Sequence, residues 1–387
     1  MYLLPGIAAA PYQDPWHLPL PVRIRQLATG RVRVAYFYEQ ADNSTFRYRV
    51  YNMVNVLNQQ PEEHSAAFFF LTDIDHFETI VATADLLVIC RTRYDNRVLR
   101  LVSAFQRLGK KVLFDIDDLV FNTEYVHLLV NTLDLDLANP QVWQDWFAYC
   151  GRLGATLRLC DGAITTNEFL AKNISAFAQL PTAVIPNFMN PEQLSYSELI
   201  FSGKQLERPG ADGLIHMGYF SGSPSHNRDF AMIAPVLAEL LDADDRLGIA
   251  VVGYIDPGPC LNRFGHRVVR FPFCDYVNLQ RLIGLVEVNL MPLQSNVFTN
   301  SKSELKYFEA AAVGTVSVAT PTHVYARTIQ HKQNGYLALA HQWFDVIRQA
   351  VSGLHDSAIM LKARQHALDN YTWYQQRDRI RAALAIA

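Results

Sequence analysis

The sequence predicts an α/β protein of two doubly wound domains in series, facing each other across a central cleft. Three observations carry this. Short continuous apolar runs of strand length alternate with segments of helical periodicity along almost the whole chain, the pattern of parallel strands covered on both faces. The alternation breaks once, at residues 190–211, where Pro191, Ser195, Ser197, Gly203, Pro209 and Gly210 read as an interdomain linker. At 387 residues, half of them apolar and 18% charged, the chain has room for two cores and the composition of a folded enzyme.

Taken in order, Pro5, Pro11, Pro15, Pro19 and Pro21 make the first twenty-odd residues an irregular arm. Residues 1–10 lack the basic start and long apolar run of a signal peptide. No window approaches the ~20 apolar residues needed to cross a bilayer, which leaves peripheral membrane contact open. Residues 31–38 are a first strand, 39–44 a polar turn, and about 47–58 a helix. Apolar runs at 66–71, 85–90, 111–116, 162–166 and 182–185 complete the strands of a first domain spanning 1–190. After the linker at 191–211, strands at 214–220, 247–252, 267–271, 286–291, 315–319 and 335–339 build a second domain spanning 212–370. Residues 371–387 form a terminal helix. The formal charge of -3 gives no general electrostatic reason to expect nucleic acid. Cys90, Cys150, Cys160, Cys260 and Cys274 are scattered, without a CxxC pair or zinc-site spacing. They read as reduced thiols of a cytosolic protein, and no metal site is expected.

Residues 300–320 are the most informative stretch. They read as a helix opened by a capping box, Ser301 with Glu304, and ended at Gly314 before a buried strand. Lys302, Lys306 and Glu309 then share a polar stripe. Two ammonium groups beside a helix N-terminus suit a nucleotide diphosphate, and the carboxylate suits both ribose hydroxyls. An ordinary solvated face with Lys–Glu pairs is the plain alternative. The turn after the second domain's first strand, 221–229, offers Gly222 and Ser223 for close backbone approach to phosphate. A helix starting near Ser225, with His226 and Arg228 for positive charge, follows it. In the first domain, Asp117 and Asp118 sit at the carboxyl end of a strand. They read as a pair acting on an acceptor hydroxyl, as a metal site, or, for Asp118, as a helix cap. Arg47 and Arg49 open the first helix and suit an acidic acceptor, or surface salt bridges.

These features together resemble the GT-B glycosyltransferases, and most closely the retaining enzymes of family four. The residues that carry the likeness are Val184-Ile185-Pro186-Asn187 at the hinge, the Gly/Ser turn at 221–223, and Glu309-Ala310-Ala311-Ala312-Val313-Gly314-Thr315. The resemblance implies two Rossmann-like domains, with the terminal helix crossing back onto the first. It implies transfer of a sugar from a nucleotide diphosphate sugar to a glycan or lipid-linked acceptor, with retention, without metal or other cofactor. Such enzymes serve surface polysaccharide or lipopolysaccharide-type assembly in the cytoplasm, with peripheral contact at the inner membrane face left open. Catalytic roles fall to Asp117, Asp118, Arg228 and Lys306. Donor contacts fall to Gly222, Ser223, His226, Asn227, Ser301, Lys302, Ser303 and Glu309, and acceptor contacts to Arg47 and Arg49. Glu309 matches the second glutamate of the family's pair and the expected ribose ligand; the first would fall at Ser301, which leaves the donor sugar open. Asp117 lies where many members carry a histidine. A nucleotide-sugar epimerase of the same fold and a catalytically inactive binding module are the other readings.

Overall fold

Six strands of the first half hydrogen-bond in parallel: β1 (Val32–Tyr38), β2 (His64–Phe70), β3 (Leu86–Cys90), β4 (Val112–Ile116), β5 (Gly162–Thr165) and β6 (Thr182–Val184). Their order is β2-β1-β3-β4-β5-β6. The second half repeats the plan with β7 (Ile215–Ser221), β8 (Leu247–Gly253), β9 (Val268–Phe271), β10 (Val288–Met291), β11 (Val316–Ala319) and β12 (Tyr336–Leu337). These lie in the order β12-β11-β10-β7-β8-β9, which counted within the domain is the 3-2-1-4-5-6 order of dinucleotide-binding sheets. This computed structural model describes every residue except 5, 43, 134, 223–225 and 387.

The strands are apolar on both faces because helices cover both. Leu87 and Ile89 pack on one side with Val98, Leu101, Val102 and Phe105 of the helix Asn96–Arg107. Val88 and Cys90 pack on the other with Met53 and Val54. In the second sheet Ile249 and Val251 face one layer, while Ala250 and Val252 face the opposite one. Each fully buried aliphatic side chain of this kind contributes about 1.5–3 kcal/mol. All five cysteines are free thiols.

The sequence-expected boundaries need correction at three places. The segment expected to be an irregular linker is mostly the helix Pro191–Gln205, because Asn190 caps it and Pro191 occupies the first turn, where proline is tolerated. It belongs to the second domain, since Lys204 Nζ donates to Val286 O (3.0 Å) and Thr315 Oγ1 (2.8 Å). The arm, counted with the first domain at 1–190, divides between the two: residues 1–10 lie on the second domain, and Trp16 packs on Phe46 and Tyr51 of the first. Tyr2 N bonds Leu285 O, Arg281 Nε donates to Ile7 O, and Ala10 exchanges bonds with Asn278. The terminal segment is a short turn, Trp373–Gln375, followed by the helix Arg377–Leu384, whose Ile380 and Leu384 bury in the first domain. Arg381 fixes it there on Glu63 at 2.8 Å. Beyond the arm, the chain thus crosses between domains at 187–190 and again at 371–373. The two crossings bond each other through Met189 N to Tyr371 O (2.8 Å) and Trp373 N to Met189 O (3.0 Å).

Candidate active site in the interdomain cleft

In open parallel sheets ligands gather beyond the strand carboxyl ends where the strand order reverses. The second sheet reverses between β7 and β10, and the first between β1 and β3. Gly222 follows β7 directly; Ser223 and the expected helix start at Ser225 lie outside the described residues, and the helix begins at Asn227. His226 Nδ1 is 3.0 Å from Asp229 Oδ2, and Asp229 Oδ1 accepts from Gln294 N at 3.0 Å. Burial, with the Lys306 charge nearby, pulls the His226 pKa down to about 3. His226 is therefore neutral, and the positive charge expected of it is corrected: it orients Asp229 instead. Asn227 Oδ1 accepts from Asp256 N at 3.4 Å. Arg228 reaches across the cleft to Asn131 Oδ1 on the helix Val126–Thr132.

The helix expected to open at Ser301 opens at Leu305 and runs to Ala312. A separate short helix, Val297–Asn300, precedes it, and there the capping box belongs to Asn296 and Thr299. Ser301 closes that short helix, its hydroxyl donating to Val297 O (2.9 Å) and its carbonyl accepting from Asn167 Nδ2 (3.0 Å). Lys302 is thus on a turn rather than on a helical stripe, with Nζ 3.5 Å from Asp118 Oδ1 across the cleft. Ser303 Oγ accepts from Asn187 Nδ2 at 3.0 Å, another bond between the domains. Lys306 lies on the helix with Nζ 4.9 Å from the Tyr219 ring centroid. Burial pulls its pKa down to about 8; Asp229 and Glu309 oppose the fall and Lys302 adds to it.

Glu309 is 3% exposed and faces the first domain. Its Oε1 accepts from the Tyr48 hydroxyl and from Gln193 Nε2 (3.4 Å), with Arg47 Nη2 at 3.6 Å. The stripe is therefore corrected for Lys302, which precedes the helix, while Lys306 and Glu309 stand three apart on it. The acceptor role of the two arginines is also corrected. Arg47 is stacked between Tyr48 and Tyr276, 3.8 and 4.2 Å from the ring centroids, and donates to Gln193 Oε1. Arg49 is 0% exposed, bidentate to Asp115 at 2.8 and 3.0 Å, and also bonded to Ile185 O and Asn187 Oδ1. Neither guanidinium offers a face to an incoming molecule.

Asp117 and Asp118 do stand in the cleft. Asp117 Oδ2 accepts from Thr45 Oγ1 (2.9 Å) and Oδ1 from Arg91 Nη1 (3.0 Å); Asp118 Oδ2 is 3.6 Å from the same nitrogen. Asp118 caps no helix, since the next helical turn, Thr123–Tyr125, is capped by Asn122. Arg91 follows β3 at the first sheet's reversal point with φ +38°, a left-handed backbone that costs a non-glycine residue about 1–2 kcal/mol. Sequence reasoning passed over it because a lone arginine after a strand forms no motif. Its place at a strand's carboxyl end was the available signal. Among the described residues no three His, Cys, Asp or Glu side chains converge as an ion site. Arg91 and Lys302 thus stand against Asp117 and Asp118, while Lys306 and Arg228 are set on the second-domain side. Four cations therefore lie near the reversal points of the two sheets, an arrangement suited to a multiply charged anion.

No family model matches the chain, and no curated protein does. Solved structures do share its fold. Anabaena HepE, in complex with UDP and glucose, aligns with a TM-score of 0.59 at 14% identity over 91% of this chain and 99% of that one. Sucrose-phosphate synthase from Thermosynechococcus elongatus gives 0.55 and 14% over 90% and 97%. A UDP-forming trehalose-phosphate synthase from Burkholderia xenovorans gives 0.60 and 10% over 92% and 99%. At such identities the likeness is one of fold, and in fold the chain is the two-domain α/β protein that the resemblance to GT-B enzymes implied.

Proposed function

We propose that the protein is a retaining glycosyltransferase. It moves a sugar from a nucleotide diphosphate sugar to a hydroxyl of a glycan or lipid-linked acceptor, in surface polysaccharide or lipopolysaccharide-type assembly. The observation that carries this is the presence of four cations, Arg91, Lys302, Lys306 and Arg228, near the strand carboxyl ends that face the cleft, where the second sheet would receive a nucleotide. HepE, which shares the fold, was solved in complex with UDP and glucose, and this supports a nucleotide sugar as the donor.

On this reading Gly222, Asn227, Ser301, Lys302 and Ser303 line the donor, and Glu309 receives the ribose hydroxyls once Tyr48 releases it. Arg228, Lys302 and Lys306 meet the charge that grows on the departing diphosphate, where fixed cations act most strongly. As the bond from the anomeric carbon to phosphate breaks, a bond to the acceptor oxygen forms on the same face. The acceptor's proton passes to the leaving phosphate. Asp117 and Asp118, steadied by Arg91 and Thr45, orient the sugar and the acceptor hydroxyl.

Calorimetric titration with UDP tests the nucleotide site, and turnover of UDP-sugars with and without acceptor tests the reaction. Binding of UDP and transfer that depends on an acceptor are expected. Donor consumption without acceptor would favour a hydrolysing or epimerising enzyme, and absence of nucleotide binding an inactive module. Transfer is expected to survive exhaustive chelation. Loss restored by magnesium or manganese would instead make Asp117 and Asp118 metal ligands.

A further inference from the structure

A second recess lies between the domains, lined by none of the four cations and neither Asp117 nor Asp118. Its volume is about 200 Å³. That is well below the roughly 300–1,000 Å³ of sites for larger organic ligands, and leaves room for one small ring. Asn167 enters from the end of β5, Pro186 from the hinge, Glu304 from the turn before the cleft helix, and His323, Val324 and Thr328 from the segment after β11. Two polar atoms in its wall are buried without a partner: Glu304 Oε2 and His323 Nε2. Glu304 is 5% exposed; its carboxyl group meets the Tyr371 hydroxyl, but Oε2 has lost water without gaining a partner in exchange. Orphaned buried groups of this kind are uncommon and mark places where a ligand or ordered water belongs.

The chemistry of the two orphans narrows the occupant. A carboxyl group accepts hydrogen bonds when ionised and also donates one when protonated, while an imidazole nitrogen accepts or donates according to its tautomer. Glu304 would repel an anion, but Arg327 and Arg379 also line the recess and offset that repulsion, so the two orphaned atoms rather than net charge choose the occupant. A hydroxyl serves both atoms, donating to Oε2 and meeting Nε2 in either sense. Pro186 and Val324 add an apolar side to this polar wall. We propose that the recess binds a single uncharged sugar ring, its hydroxyls held by Glu304 and His323 and its C–H face against Pro186 and Val324. That this ring belongs to the acceptor rests on the glycosyltransfer reading; the binding itself does not. Burial raises the Glu304 pKa to about 7, against the Tyr371 hydroxyl and the Arg49 and Arg379 charges, which lower it.

Saturation-transfer NMR with the methyl glycosides of glucose, galactose, mannose and N-acetylglucosamine tests this, with UDP titrated into the same samples. The wild-type protein should transfer saturation to at least one glycoside. Glu304→Ala and His323→Ala should each weaken that binding by about tenfold or more, the loss expected from one hydrogen bond in a buried site. Both variants should melt cooperatively and retain their UDP affinity. No transfer to any of the four glycosides, or equal transfer to wild type and both variants, would overturn the proposal and leave a water-filled void. Glycoside binding lost in both variants, in a protein that fails to bind UDP, would uphold the recess while defeating the glycosyltransfer reading.

Discussion

Glu304 and Lys306 are both driven toward neutrality by burial, and their titrations separate by sign. The Glu304 carboxyl binds its proton more tightly when folded, with a pKa of about 7 against 4.5 for the free group. Its contribution to stability is therefore present in full below about pH 4.5 and is lost as pH rises through 7. Glu304→Gln should melt close to the parent at pH 4 and higher above pH 7, by an amount on the order of 3 kcal/mol. Equal melting of the two proteins at pH 8 would count against the shift. Lys306 carries its charge below about pH 8 and loses it above. If it meets the diphosphate, UDP affinity should fall as pH rises through 8, and Lys306→Met should flatten that dependence in titrations across the range. Glu309→Gln should weaken UDP binding by ~1.5–3 kcal/mol if the charge serves the ribose. Tyr48→Phe should do the opposite, since it removes a hydroxyl that holds Glu309 Oε1, and the two dissociation constants decide the point. The identity of Glu309 was legible in the sequence, but its partner was not. Tyr48 lies 261 positions away, and nothing local announces such a pair.

Among the elements, strands were the most legible. Each of the twelve lies within two residues of its expected span, because a strand buried on both faces leaves an unbroken apolar run. Helix starts were harder, since the signals that mark them compete over a few residues. Ser301 and Glu304 have capping-box spacing, yet Asn296 and Thr299 close the box five residues earlier, and Ser301 is used up in ending that turn. Pro191 and Gly203 were misleading in a different way. Both look like breakers, but the first sits where a helix accepts proline and the second where Ile7 leaves no room for a larger side chain. Gly314 was read correctly as a helix end. It has φ +70°, and a Cβ there would stand 2.9 Å from the Phe201 ring. Gly314→Ala should destabilise the protein by about 1 kcal/mol or more, measured by urea denaturation, through both strain and crowding. An unchanged midpoint would mean that Phe201 yields freely.

Across the molecule, the cleft is spanned by side chains rather than left open. Arg228 with Asn131, Lys302 with Asp118, Ser303 with Asn187 and Glu309 with Tyr48 all join the two halves. The two-domain series was legible because each half repeats the same alternation. The exchange of ends was not legible for the arm, whose prolines speak of irregularity and carry no address. Removing the helix Arg377–Leu384 should expose the first-domain surface that buries Ile380 and Leu384. A lower melting temperature and increased binding of a hydrophobic dye are expected of that truncation; an unaltered melt would show the helix to be dispensable. The arm has a further consequence, in the order of synthesis. Ile7 is bonded to Arg281, 274 positions later. At roughly 5–20 residues per second the ribosome needs about 15–55 s to make that partner. During this interval Leu4 and Ile7, both buried in the finished protein, lack part of the surface that covers them, since Ile283 and Val286 of their cluster come later still. The first domain waits longer still, since the helix that completes it is translated after every strand of both sheets. The first half is therefore finished by a piece made after all of its strands, and the second by a piece made before any of them.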